Sequence, residues 1–166
     1  YAWRGYAASG PGASTNRITL VASDVDQTLA TITVGFDSPE GLMVEDLYRD
    51  KIDQLRSGGA RVCEFTKLAV ERNDQSKEVL AMMFHIAYMY AYRIHGCTDL
   101  VVEVNPRHVR FYERMLGFVD YGPERMCARV GAPAVLLWLR LRHAQEQIRI
   151  HGGHKERAGK VRSLYP

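Results

Sequence analysis

Asn105-Pro106-Arg107-His108-Val109-Arg110-Phe111-Tyr112-Glu113-Arg114-Met115-Leu116-Gly117-Phe118 is the stretch on which the fold turns. Just before it, Leu100 to Val104 is short and almost wholly apolar, the pattern of a strand buried on both faces. Asn105-Pro106 closes that strand, because the residue before a proline is steered away from helical geometry. Arg107 to Leu116 then predicts a helix, and Gly117 supplies its stop. A buried strand followed at once by a helix places this segment in the middle of a sheet.

Upstream, Arg61 to Val70 reads as another strand, and the polar stretch Glu71 to Lys77 as a loop. A helix follows in which Met83, Ile86, Ala87, Tyr90, Ala91 and Ile94 recur at helical spacing, with Gly96 as its end. Further back, Val44 to Leu55 sets Leu47, Tyr48, Ile52 and Leu55 on one helical face, between the turn Ser38-Pro39-Glu40-Gly41 and Ser57-Gly58-Gly59. Arg17 to Ala22 and Thr28 to Phe36 form a hairpin about Ser23 to Gln27, and Ser9-Gly10-Pro11-Gly12 ends any helix begun at Tyr1. Downstream lie strands near Phe118 to Tyr121 with Met126 to Val130, and Ala134 to Leu141. The order β-β-α-β-α-β-α-β-β predicts an α+β fold with a mixed central sheet flanked by helices.

The 166 residues fit one domain over 1–166, with 142–166 as a basic C-terminal helix or tail. Hydrophobic residues at 46% and charged residues at 25% are the balance of a globular chain. A net charge of +3 falls short of a dedicated nucleic-acid surface, so no nucleic-acid partner is expected. Cys63, Cys97 and Cys127 are odd in number and widely spaced, which favours a reducing, cytoplasmic setting. Val79 to Tyr92 is too short to span a bilayer, so no transmembrane segment is expected. Because the chain opens at Tyr1 with neither Met nor a leader, it is expected to begin inside a longer product or to have lost disordered residues before Tyr1. His151-Gly152-Gly153-His154 lacks a completing ligand, so no metal is expected. The chain carries neither a Rossmann fingerprint nor a P-loop.

The pattern N-x6-Y-x4-G-F within Asn105 to Phe118 resembles the strand-to-helix segment of the GNAT acyltransferase superfamily, and Glu64 to Val70 looks like that superfamily's central strand. The resemblance covers about Ile18 to Leu141 and implies a GNAT fold. It further implies a pantetheine-borne thioester whose amides meet main-chain groups of Leu68 and Val70, with Gln75, Ser76, Lys77 and Asn105 also on the donor side. Glu64 then serves as the base for the attacking amine and Tyr112 as the acid for the departing thiol. The residues alone leave Glu64 open to pairing with Lys67 or Arg61, Tyr112 to core packing beside Phe111, and Asn105 to a turn role.

GNAT members that use acetyl-coenzyme A follow this strand with R/Q-x-x-G-x-G/A, whose glycines admit a pyrophosphate. Here the register reads Gln75-Ser76-Lys77-Glu78-Val79-Leu80, with Glu78 expected to repel and Leu80 to crowd that group. An acyl-phosphopantetheine on acyl carrier protein, ending in one phosphate, is therefore the expected donor, rather than acyl-CoA. Arg72, Arg107 and Arg110, with Lys77, would meet its acidic surface.

Glu40 to Val70 resembles the long-chain N-acyl amino acid synthases, relatives of the acyl-homoserine lactone synthases, whose strand reads E-x-x-R. Glu64 matches the glutamate, whereas Lys67 holds the arginine position and keeps the charge without the fork. Trp3-Arg4 resembles the opening of these enzymes, implying that Arg4 and Lys67 bind the acceptor under a first helix. Met82, Met83, Phe84 and Met89 are read either as a tunnel for the acyl chain or as helix core. The resulting expectation is transfer of a medium or long acyl chain from acyl carrier protein to an amino acid. The alternatives are an acetyl-CoA-dependent N-acetyltransferase, an acyl-homoserine lactone synthase, or a non-catalytic acyl-binding module.

Overall fold

The computed structural model describes residues 16–25, 27–71 and 76–142 together with the main chain of residues 2–7. Seven strands form one sheet: β1 (Ala2–Ala7), β2 (Arg17–Asp24), β3 (Gln27–Phe36), β4 (Val62–Val70), β5 (Asp99–Val104), β6 (Val119–Cys127) and β7 (Ala132–Arg140), in the spatial order β1-β2-β3-β4-β5-β7-β6. Helix α1 (Glu45–Ser57) joins β3 to β4. Helix α2 (Ser76–Tyr88), extended by a π-helical turn over Met89–Ile94, joins β4 to β5. Helix α3 (Val109–Leu116) follows a 3-10 turn at Pro106–His108.

Each helix covers the face that its apolar spacing dictates. Tyr48 and Ile52 of α1 pack on Val62, Val101 and Leu136, forming one core cluster on that face of the sheet. The larger cluster lies on the other face, where Met83, Phe84 and Ala87 of α2 and Tyr112 and Leu116 of α3 meet Cys63, Phe65, Leu100 and Val102. Because side chains alternate along a strand, β4 sends Val62 and Glu64 toward α1 and Cys63 and Phe65 toward α2 and α3. Gly117 ends α3 with φ of 80°, a left-handed turn that glycine adopts without strain.

Two expectations are corrected. The opening segment is no helix: Ala2–Ala7 is an edge strand paired antiparallel with β2, and Arg4 lies opposite Val21. Six residues are too few for periodicity to separate the two forms, and the partner strand decides. The strand expected in two pieces near Phe118 to Tyr121 and Met126 to Val130 is the single β6, whose register shifts at Gly122 and whose successor, 128–130, is a turn. Gly122 sits where a Cβ would stand 2.8 Å from the Tyr48 ring, so α1 presses into the sheet there. The expected tail helix, and His151 and His154, lie outside the described residues.

Candidate active site

Strands β4 and β5 are parallel neighbours, but their pairing runs only from Val62 and Asp99 to Phe65 and Val102. Beyond that point β4 carries a bulge. Thr66 opposes Thr33 and Ala69 opposes Thr31, so Lys67 and Leu68 together face Ile32. Lys67 holds φ of 53°, a conformation few non-glycine residues adopt, and this turns the strand away from β5. The two strands thereby part in the middle of the sheet.

The parting exposes main-chain groups. Glu71 N–H donates to Leu29 O at 2.7 Å and Ala69 lies opposite Thr31, so both turn toward β3. By strand alternation, the N–H and C=O of Leu68 and Val70 point the other way, into the opening. Helix α2 starts at Ser76, whose hydroxyl donates to Glu71 O at 2.8 Å, and the turn before α3 starts at Pro106. Both begin past the C-terminal ends of the parallel strands, and Lys77, Arg107 and Arg110, which they carry, are exposed. Arg72 and Gln75 lie outside the described residues, as does the side chain of Arg4.

Glu64 is buried at 1% exposure where the opening begins. Its Oε1 accepts the Met43 N–H at 2.7 Å and its Oε2 the Val44 N–H at 3.1 Å, both at the first turn of α1. Burial raises its carboxyl above the ordinary range, while those two N–H groups work in the opposite direction. The pairing with Lys67 or Arg61 that the residues left open is not made. Lys67 is exposed on the bulge, and Arg61 is exposed before β4, so neither cation forms an ion pair with the buried carboxylate.

Tyr112 lies on the other face. Its ring meets Phe84, Phe111 and Phe118 edge-on, its hydroxyl hydrogen-bonds to none of the described residues, and burial pushes it up to about 12. Glu64 and Tyr112 are therefore separated by the sheet except where β4 and β5 part. Asn105 fills the turn role: its Oδ1 accepts the Arg107 N–H at 3.1 Å. Cys63 is fully buried with its thiol raised by burial, the reverse of an activated nucleophile.

Two further expectations change on the α2 side. Leu80 is buried in the core, so it does not crowd the start of the helix; Glu78 alone, exposed in the first turn, opposes an anion there. Of the side chains read as a tunnel or as core, Met83 and Phe84 are core, and Phe84 lines an apolar cavity of about 10 Å³, room for no more than a water, together with Phe65, Tyr88, Leu116 and Phe118. Sequence reading missed Glu103 on β5, whose side chain is 15% exposed and whose Oε1 is buried without a hydrogen-bond partner among the described residues. A glutamate inside the apolar run Leu100 to Val104 was the signal available.

The divided parallel pair, the bulged strand and the helices that start beside it are the architecture of the GNAT fold. The aminoglycoside N(6')-acetyltransferase of Legionella pneumophila shares this fold at 15% identity over 81% of this chain and 69% of its own, with a TM-score of 0.55. A Vibrio cholerae spermidine N-acetyltransferase chimera shares it at 15% identity over 78% and 70%, with a TM-score of 0.52. Residues 1–140 match the profile of the N-acyl amino acid synthase FeeM family, and the chain belongs to that family. The structure of FeeM, an N-acyl amino acid synthase from uncultured soil microbes, is similar at 25% identity over 83% of this chain and 78% of that one, with a TM-score of 0.72. A search of curated protein sequences gave no match.

Proposed function

We propose that the protein transfers a medium or long acyl chain from an acyl carrier protein thioester to the amino group of an amino acid. Membership of the N-acyl amino acid synthase FeeM family carries this reading. The opening between β4 and β5 supports it in detail. Leu68 and Val70 present main-chain donors and acceptors to the pantetheine amides, as an added strand would. The thioester then lies in the gap, reachable from both faces.

On the α1 face Glu64 takes a proton from the attacking nitrogen, and on the α2 and α3 face Tyr112 gives one to the departing sulfur. The raised carboxyl of Glu64 makes it a better base than an ordinary glutamate. Lys77, Arg107 and Arg110, with Arg72, meet the acidic carrier, and Glu78 disfavours the second phosphate of a coenzyme A donor. Lys67 and Arg4 lie on the acceptor side.

The test supplies purified protein with carrier-protein thioesters of graded chain length and a panel of amino acids, with matching coenzyme A thioesters in parallel, and reads products by mass spectrometry. N-acyl amino acid from the carrier donor supports the reading. Faster turnover from acetyl-CoA would replace it with an N-acetyltransferase. A lactone product would indicate the homoserine lactone reaction, and binding of N-acyl amino acid without turnover on any donor would leave an acyl-binding module.

A further inference from the structure

On the α1 face, Glu64 is not the only carboxylate beside the opening. Val101 lies opposite Glu64, and Glu103, two residues further along β5, points to the same face. It stands just past Val102, the last residue that β5 pairs with β4. Across the sheet its neighbour is Leu136 of β7.

The two carboxylates are occupied differently. Each Glu64 oxygen already accepts a main-chain N–H, which fixes the start of α1 and leaves each oxygen one lone pair. Glu103 Oε2 stands 3.8 Å from Arg129 Nη2, a loose contact whose arginine is 46% exposed and also approaches Asp46 at 3.7 Å. Glu103 Oε1 is buried and accepts no hydrogen bond among the described residues, although the Cys127 thiol stands close enough to the carboxyl to lower it. A native protein rarely leaves a buried carboxylate oxygen without a partner, because the lost hydration is uncompensated. An incoming cationic donor is a partner that would complete it.

We infer that Glu103 is an acceptor-side catalytic residue: its Oε1 receives the ammonium group of the acceptor amine and takes the first of the two protons that nitrogen must lose. The inference rests on the amine-acylation reading above. An amino acid arrives as an ammonium, which has no lone pair with which to attack. One N–H bond breaks, its electron pair stays on nitrogen, and the proton passes to Glu103. The neutral amine then attacks the thioester carbon, and the second proton leaves as the C–N bond forms and the C–S bond breaks. Two carboxylates on one face divide these transfers, Glu103 the first and Glu64 the second.

The groups that face Glu103 bear on its charge. Arg129 and Cys127 hold its carboxyl down, whereas burial and Asp46 raise it, and burial leads. Its charge in turn raises both Glu64 and the Tyr48 hydroxyl. An approaching ammonium adds a positive charge to a site that carries an excess of negative ones.

The experiment uses the full chain, a dodecanoyl carrier-protein thioester, and the amino acid that the wild type acylates fastest. Glu103→Gln is compared with Arg129→Gln, which removes the loose ion pair and leaves the carboxylate. Glu103→Gln is expected to raise the acceptor KM about tenfold or to lower kcat by about 10²-fold, with the donor KM unchanged and the low-pH limb of kcat/KM displaced. Arg129→Gln is expected to leave the acceptor KM within about twofold. Wild-type kinetics in Glu103→Gln would overturn the inference, as would the same loss in Arg129→Gln, which would make Glu103 an anchor for Arg129. Absence of N-acyl product from the wild type on every donor and acceptor would instead overturn the reading on which the inference rests.

Discussion

The carboxylate of Glu64 on β4 accepts the main-chain N–H of Met43 at 2.7 Å, so a strand in the middle of the sheet fixes the first turn of the helix that covers it. Glu64→Gln keeps the side-chain shape but offers one acceptor oxygen where two N–H groups need partners. The variant is expected to lose about 1–3 kcal/mol of stability, measured by chemical denaturation. Its turnover per folded molecule should fall by about 10² or more, measured in a single-turnover assay. An unchanged denaturation midpoint would remove the structural half of this account.

Gly35 on β3 leaves the space that Glu64 occupies. A Cβ there would stand 3.0 Å from Glu64 Cγ and 3.3 Å from Oε1. Gly35→Ala is therefore expected to push the carboxylate out of line, at about 1–3 kcal/mol in stability. Turnover should drop together with the midpoint, although residue 35 touches no substrate. Full activity in this variant would show that the carboxylate tolerates displacement.

Removing the Tyr112 hydroxyl should separate chemistry from packing. Because that hydroxyl bonds to none of the described residues while the ring is fixed by Phe84, Phe111 and Phe118, Tyr112→Phe is expected to change stability by less than about 1 kcal/mol. Its kcat should fall by roughly 10²-fold with the acceptor KM unchanged. A donor with a better leaving thiol should recover much of the loss. If kcat stays at the wild-type value, Tyr112 is core and nothing more.

Stability should also carry a mark of the buried acids. Glu64 and Glu103 both have carboxyls raised above 4.5, chiefly by burial, so the native state holds their protons more tightly than the unfolded chain does. Their effect favours the native state most below the unfolded value and is lost as pH rises through the raised native values. Glu45 runs the other way: Arg56 lowers its carboxyl, so its contribution is lost as pH falls. Urea denaturation from pH 4 to 8 is expected to show a shallower decline with rising pH in Glu103→Gln than in the wild type. Parallel curves for the two proteins would contradict this assignment.

Much of this was legible in the chain itself. The spacing of Tyr48 and Ile52 set the buried face of α1, that of Met83 and Ala87 set the buried face of α2, and Gly117 marked the end of α3. These are local properties, because periodicity and capping act between residues a few positions apart. The tract from Asn105 to Phe118 likewise pointed to the GNAT fold, and Glu40 to Val70 to the N-acyl amino acid synthases, before any contact was known.

What the tertiary structure decided is long-range. Glu64 has its partners twenty and twenty-one residues upstream, at Val44 and Met43, and no spacing rule pairs a strand glutamate with a helix start. Whether Ala2–Ala7 was strand or helix depended on a free edge at β2. The place where β4 leaves β5 depended on the bulge at Lys67, with Glu64 and Glu103 on one face of the sheet and Tyr112 on the other. Sequence periodicity sets which face of an element is apolar, but which polar groups meet across the sheet is settled only when the strands pair in register.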